Sequence, residues 1–203
     1  LQEIVRERRT ALNEFIDGVD EIMVMREMPS RRQAYILNRG AYDQHRDPVD
    51  PATPAMLPPI PAGQNADRLG LAHWLASLEH PLTARVAVNH YWQLIYGQGL
   101  VRTPEDFGSQ GAPPTHPELL DWLATDFQQN GWDIQRLLKM MVMSATYQQS
   151  TFASAELLKR DPENQFLARA STYRLPAEML RDNVLFASGL MVEQLGGPPA
   201  RPY

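Results

Sequence analysis

The run Asp133-Ile134-Gln135-Arg136-Leu137-Leu138-Lys139-Met140-Met141-Val142-Met143-Ser144-Ala145 decides how the rest of the chain is read. Ile134, Leu137, Leu138, Met141, Val142 and Ala145 recur at spacings of three and four, the period of one face of an α-helix. Asp133 stands just before them, where a carboxylate accepts the free N–H groups of a first turn.

The same grammar repeats on either side. Upstream, His116-Pro117 opens a helix carrying Leu120, Leu123, Ala124 and Phe127, and Asn130-Gly131 stops it. Thr103-Pro104-Glu105-Asp106 caps a short turn. His80-Pro81 predicts another helix, with proline in its first turn and an apolar stripe of Ala84, Ala87, Val88, Tyr91, Leu94 and Ile95, ended by Gly97 and Gly99. Asp67 caps a helix expected to run through Leu78. Downstream, Asp161-Pro162 and Leu175-Pro176 are expected to open two more, the last ending at Gly189 or at Gly196-Gly197. Residues 1–18 carry Leu1, Ile4, Val5, Leu12, Phe15 and Ile16 near the helical period, with Gly18 as a stop.

Two short apolar runs, Ile22-Met23-Val24-Met25 and Gln33-Ala34-Tyr35-Ile36-Leu37, flank Met28-Pro29-Ser30-Arg31 and predict a β-hairpin. Pro48, Pro51, Pro54, Pro58, Pro59 and Pro61 then exclude regular helix and central strand over residues 47–63, which reads as an extended linker. The expected architecture is mainly α: a multi-helix bundle with a short N-terminal β-hairpin and a proline-rich linker. Residues 1–64 form the helix, hairpin and linker, and residues 65–203 the helical domain.

Composition narrows the function classes. Of 203 residues, 43% are hydrophobic, enough for a packed core without a disulfide or metal staple. Lys and Arg number 19 against 24 Asp and Glu, a net charge of −5, which argues against nucleic acid as a partner. There is no cysteine, which excludes a thiol nucleophile, a thiolate metal site and a haem attachment motif in this stretch. No apolar run reaches the ~20 residues that span a bilayer. The chain starts at Leu1 and finishes on Gly196-Gly197-Pro198-Pro199-Ala200-Arg201-Pro202-Tyr203, and both ends are expected to continue in a longer protein.

An ordered set of motifs runs through the helical part: Arg68-Leu69-Gly70-Leu71-Ala72-x-Trp74-Leu75, His80-Pro81-Leu82-Thr83-Ala84-Arg85-Val86, Val88-Asn89-x-Tyr91-Trp92, and Gly97-x-Gly99-Leu100-Val101-x-Thr103-Pro104-Glu105-Asp106-Phe107-Gly108. His116-Pro117-Glu118-Leu119-Leu120-Asp121-Trp122, Ser144-Ala145-Thr146-Tyr147 and Arg174-Leu175-Pro176-Ala177-Glu178 follow. This set resembles the planctomycete-specific uncharacterised domain at the C-terminal end of large cytochrome-c-like proteins, over residues ~65–203. The family pattern usually has arginine after Asn89, where this chain has His90. The resemblance implies an extracytoplasmic location, periplasmic or secreted. It also implies other domains of the same polypeptide as partners and no cofactor in this fragment, any haem being carried elsewhere in the full-length protein.

Several constellations could carry chemistry, and each has a plain structural reading beside it. Arg85, Asn89, Trp92 and Tyr96 share one helix face, which suits either a ligand groove or a helix–helix contact. Asp106, His116 and Asp121 surround the Gly108–Pro114 loop, as a base flanked by carboxylates or as helix and turn caps. Arg174, Glu178, Arg181 and Asp182 alternate in charge, as a polar ligand site or a salt-bridge ladder. Asp43-x-His45-x-Asp47 with Asp50 matches no specific metal spacing, so no metal site is expected. His73, His80 and His90 lack H-E-x-x-H spacing, and Gly97-x-Gly99 is a helix cap rather than a dinucleotide fingerprint. Trp74, Trp92, Trp122 and Trp132 offer stacking surfaces for carbohydrate, or core packing. The candidate ligand-binding residues are therefore Arg85, Asn89, Trp92, Asp106, His116 and Asp121. The expected function is a non-catalytic helical interaction or scaffold domain. The alternative is a hydrolytic, polysaccharide-related enzyme domain with a polar site between helices.

Overall fold

A computed structural model describes residues 2–19, 22–194 and 196. The mainly helical architecture with a short antiparallel hairpin is observed: α1 (Gln2–Asp17), β1 (Ala34–Leu37), β2 (His45–Val49), α2 (Arg68–Leu75), α3 (Thr83–Tyr96), α4 (Pro117–Gln129), α5 (Ile134–Val142), α6 (Ala155–Arg160) and α7 (Ala177–Ala187). Contacts divide the chain into two units, one of residues 1–55 and 59–72 and one of residues 56–58 and 73–203. The choice of Gly197 as a helix stop lies outside the described residues.

In the first unit the hairpin forms, but with a different partner from the one expected. β1 pairs with β2, Ala34 facing Val49 and Tyr35 facing Pro48, while residues 22–25 carry no regular structure. The chain reverses through Arg39 and Gly40, both left-handed at φ 52° and 78°. Asn38 locks the turn: its N–H donates to Gln44 O at 2.9 Å and its amide to Gln44 Oε1 at 2.8 Å. Proline does not bar this strand, because in a two-stranded sheet each strand is an edge with one row of N–H groups unpaired. His45 stacks on Tyr35 with ring centroids 4.5 Å apart, so the candidate metal-ligand run lies on a turn and a strand. In α2, Asp67 caps as expected, its Oδ1 accepting from Gly70 N–H at 2.9 Å.

The second unit holds the packed core. α3 lies against α4, and α5 closes over both. Val88, Trp92, Tyr96, Leu120, Leu123, Phe127, Leu137 and Met141 form its centre. α4 and α5 begin where their caps predict: Pro117 is the first residue of α4, and Asp133 accepts from Arg136 N–H at 2.9 Å. Phe127 meets Trp132 edge to face at 5.2 Å, tying the end of α4 to the start of α5.

Three expectations are corrected here. First, α3 starts at Thr83 rather than at His80-Pro81. His80 instead acts from outside the helix. Its Nδ1 accepts from Thr83 N–H at 3.2 Å and lies 2.8 Å from Thr83 Oγ1. Second, the buried face of α3 is Ala84, Val88, Asn89, Trp92 and Tyr96; Leu94 is 44% exposed, and Tyr91 and Ile95 sit only at the margin. Third, Asp161-Pro162 closes a helix instead of opening one. α6 is capped at its start by Ser154, whose Oγ accepts from Leu157 N–H at 3.1 Å, and it ends at Asp161. The residue before proline is pushed away from helical backbone, so an Asp-Pro pair serves an end as well as a beginning. α7 follows Pro176 as expected, and Gly189, left-handed at φ 71°, lies just beyond it.

His80 is buried against the edge of Trp74, ring centroids 4.4 Å apart, and its Nε2 has no hydrogen-bond partner among the described residues. Burial lowers its pKa below the ordinary 6.5, so the fold holds the neutral ring with Nδ1 as acceptor. The unfolded chain takes up a proton first as pH falls, so this contribution to stability is intact above about pH 6.5 and is lost below it. The urea midpoint is expected to drop between about pH 7.5 and about pH 5.5, and to drop less in His80→Gln. An equal drop in the variant would place the effect elsewhere.

Candidate functional site

The face of α3 singled out by the sequence is a structural seam. Asn89 is fully buried: its Nδ2 donates to Val101 O at 3.0 Å and its Oδ1 accepts from Val101 N–H at 2.8 Å. The chain can return to Asn89 only because Gly99 has no side chain. A Cβ there would lie 2.7 Å from Asn89 Nδ2 and 2.5 Å from Val101 O. Trp92 is buried and stacks on Tyr96 at 4.0 Å. The Tyr96 hydroxyl lies 3.0 Å from Ser144 Oγ and donates to Met141 O at 3.2 Å, and burial raises its pKa. The Asn89 amide and the Val101 backbone thus satisfy one another within the fold, and Asn89 is buried away from any open surface.

Arg85 and Asp121 do meet. Arg85 Nε donates to Asp121 Oδ1 at 2.6 Å, and its Nη1 donates to Pro81 O. The hydrogen bond from Arg85 holds the Asp121 carboxyl below its ordinary pKa. Asp121 thus bridges α4 to α3 rather than serving the N-terminal dipole of α4. Asp106 organises a separate loop: its Oδ1 accepts from Gly108 N–H at 2.7 Å, and Thr103 Oγ1 donates to its carbonyl at 2.8 Å. Gly111 closes that loop, since a Cβ there would sit 2.0 Å from Asp106 O. His116 precedes α4, its Nδ1 lying 3.1 Å from Thr115 Oγ1. The structure therefore joins Arg85 to Asp121 and Trp92 to Tyr96, and leaves Asp106 and His116 in local roles.

The charge alternation near α7 forms no ladder. Arg181 approaches its neighbour Asp182 at 3.8 Å, both more than half exposed. Of the four tryptophans, Trp74 and Trp92 are buried and Trp132 packs on the core, but Trp122 is 56% exposed.

Two cavities shape this unit. A small one of about 40 Å³ lies beside Trp92 and Tyr96, with Arg102, Glu163 and Ser171 around it. It is of a size for ordered water. Arg102 and Glu163 pair across its rim, which lowers the Glu163 pKa. The 163–167 segment that lines it is fixed by Asp161, whose carboxylate accepts from Gln165 N–H at 2.8 Å and Phe166 N–H at 2.9 Å, and by buried Arg169, which donates to Asp161 O and Pro162 O. The second is an open cleft of about 330 Å³ lined by His90, Gln93, Leu94, Gly97, Tyr173 and Arg174. Sequence reading named Arg174 but did not join it to His90 and Gln93. No periodicity connects residues so far apart; the glycine cap at Gly97 was the one local signal.

The two kinds of contact should separate cleanly in stability. Gly99→Ala forces a methyl into Asn89 and Val101 and is expected to cost about 1–3 kcal/mol or to prevent folding. Asp121→Asn removes a partly exposed ion pair and is expected to cost less than about 1 kcal/mol. Urea titrations of both variants check this. A Gly99→Ala protein as stable as the parent would remove the close approach from the account.

No curated protein and no solved structure matches the chain. Residues 67–203, about two thirds of the sequence, match the family described as PSD1, protein of unknown function (DUF1553). That match begins at Asp67, the cap of α2, and covers the Asn89–Val101 seam and both cavities, and on it the chain belongs to the PSD1 (DUF1553) family.

Proposed function

We propose that the chain is a non-catalytic helical interaction domain of a larger, exported, multidomain protein, of the planctomycete kind that carries a cytochrome-c-like module elsewhere. Its partners in this reading are other domains of the same polypeptide, and any haem belongs to them. One observation carries the proposal. α7 exposes Leu180, Val184 and Phe186 at 45%, 67% and 71% and buries no residue. A helix of 11 residues is too short to persist in water by backbone bonds alone, so it needs a surface to hold it. α6 likewise buries none of its residues. The candidate polar residues support the same reading, because Arg85, Asn89, Asp106 and Asp121 are already engaged by side-chain or backbone partners within the chain.

Hydrogen exchange of the isolated chain, set against the same residues within everything its gene encodes, tests this. The expected result is slow exchange of α7 amides in the larger protein and fast exchange in the isolated chain. Equal exchange in both would contradict the proposal. So would turnover of an oligosaccharide by the isolated chain that His116→Ala abolishes, which would support a hydrolytic enzyme.

A further inference from the structure

The cleft beside the end of α3 has three polar side chains without protein partners. His90, Gln93 and Arg174 line it, and among the described residues none of them is hydrogen-bonded or ion-paired through its side chain. Among the described residues of this unit Arg160 and Arg174 form no ion pair, and it is Arg174 that lines the cleft. Arg85, Arg102 and Arg136 each pair with a carboxylate, and Arg169 gives its donors to carbonyl oxygens. No carboxylate lines the cleft.

Its walls are held without a ligand. Tyr173 donates its hydroxyl to Leu94 O at 2.5 Å. Its ring lies so close to Gly97 that a Cβ there would be 2.6 Å from Tyr173 Cγ. Gly97 is also left-handed at φ 79°, so the cap of α3 and the wall of the cleft are one feature. A guanidinium presents a rigid fork of donors matched to the paired oxygens of a carboxylate or sulfate. A carboxamide N–H and an imidazole N–H beside it add donors of the same sense. At about 330 Å³ the cleft falls near the lower limit of small-molecule sites and is too small for a partner helix.

We infer that this cleft binds a small oxyanion, a carboxylate or sulfate group, carried on a molecule of about monosaccharide size. Arg174 supplies the charge, and Gln93 and His90 orient the ligand. The site requires no partner chain, so it stands apart from the interaction surface on α7.

Titration of the isotopically labelled chain with sodium glucuronate, glucose and sodium sulfate, followed through the backbone amides of Leu94, Gly97 and Arg174, tests the inference. Expected are saturable shifts with glucuronate and with sulfate, tighter for glucuronate, and none with glucose. Arg174→Gln, at an exposed position, should keep the parent spectrum elsewhere and bind glucuronate about tenfold more weakly. Gln93→Ala should give a smaller loss. Absence of saturable shifts with both anions would overturn the inference, as would shifts with glucose equal to those with glucuronate, or unchanged affinity in Arg174→Gln. Sulfate binding without glucuronate binding would overturn the size assigned to the ligand.

Discussion

The pair of hydrogen bonds between the Asn89 side chain and the backbone of Val101 is the constraint on which the helical unit depends. Both partners are buried, where an unpaired amide or backbone group costs about 1–3 kcal/mol, so the two bonds must form together or not at all. Forming them brings the chain back across α3 within a few residues of the helix end. That return demands a left-handed residue at Gly97 and no side chain at Gly99. It delivers Leu100 and Val101 into the core beside Val88 and Trp92. It also aims the loop that follows toward α4, where Thr115 N–H donates to Leu100 O at 2.9 Å. The face that α3 buries, the site of its reversal and the start of α4 are consequences of one side chain.

This is also why helix positions were legible in the sequence when the packing face of α3 was not. Asp133 and His116-Pro117 mark their helices through local chemistry, a carboxylate on a free N–H and a proline whose missing donor is harmless in a first turn. α3 carries apolar or aromatic residues around most of its circumference: Ala87, Tyr91, Leu94 and Ile95 on one side, Trp92 and Tyr96 on another. Counting apolar positions favours the first side, while Arg85, Asn89, Trp92 and Tyr96 on the other suit either a ligand groove or a helix–helix contact. The decision came from a bond to a residue one loop away, which periodicity cannot see. The same holds for the hairpin. Its true partner strand contains Pro48, which local rules discount, and its turn at Asn38–Gly40 rests on a side-chain bond to Gln44. Asp161-Pro162 failed for a different reason: the pair suits either end of a helix, and Ser154 had already supplied the start of α6.

The candidate site was legible only in part, for a related reason. A polar residue on a helix face signals that something must satisfy it, without saying whether that is a ligand or the protein. Asn89 is satisfied by Val101, Arg85 by Asp121 and Pro81, and Asp106 by its own loop. The unpaired side chains that line the cleft, His90, Gln93 and Arg174, do not announce themselves by spacing. They meet only because Tyr173 closes onto Gly97. The cleft and the apolar side of α7 are the features on which the two proposals rest.

The most direct measurement of the central claim is amide hydrogen exchange at Val101. If the Asn89 seam anchors the unit, the Val101 N–H opens only when the whole core opens, and its protection equals that of the Leu137 amide in α5. Exchange at the rate of a solvent-exposed loop amide would contradict the account, because Val101 would then open without the core and the bond to Asn89 would hold nothing else in place.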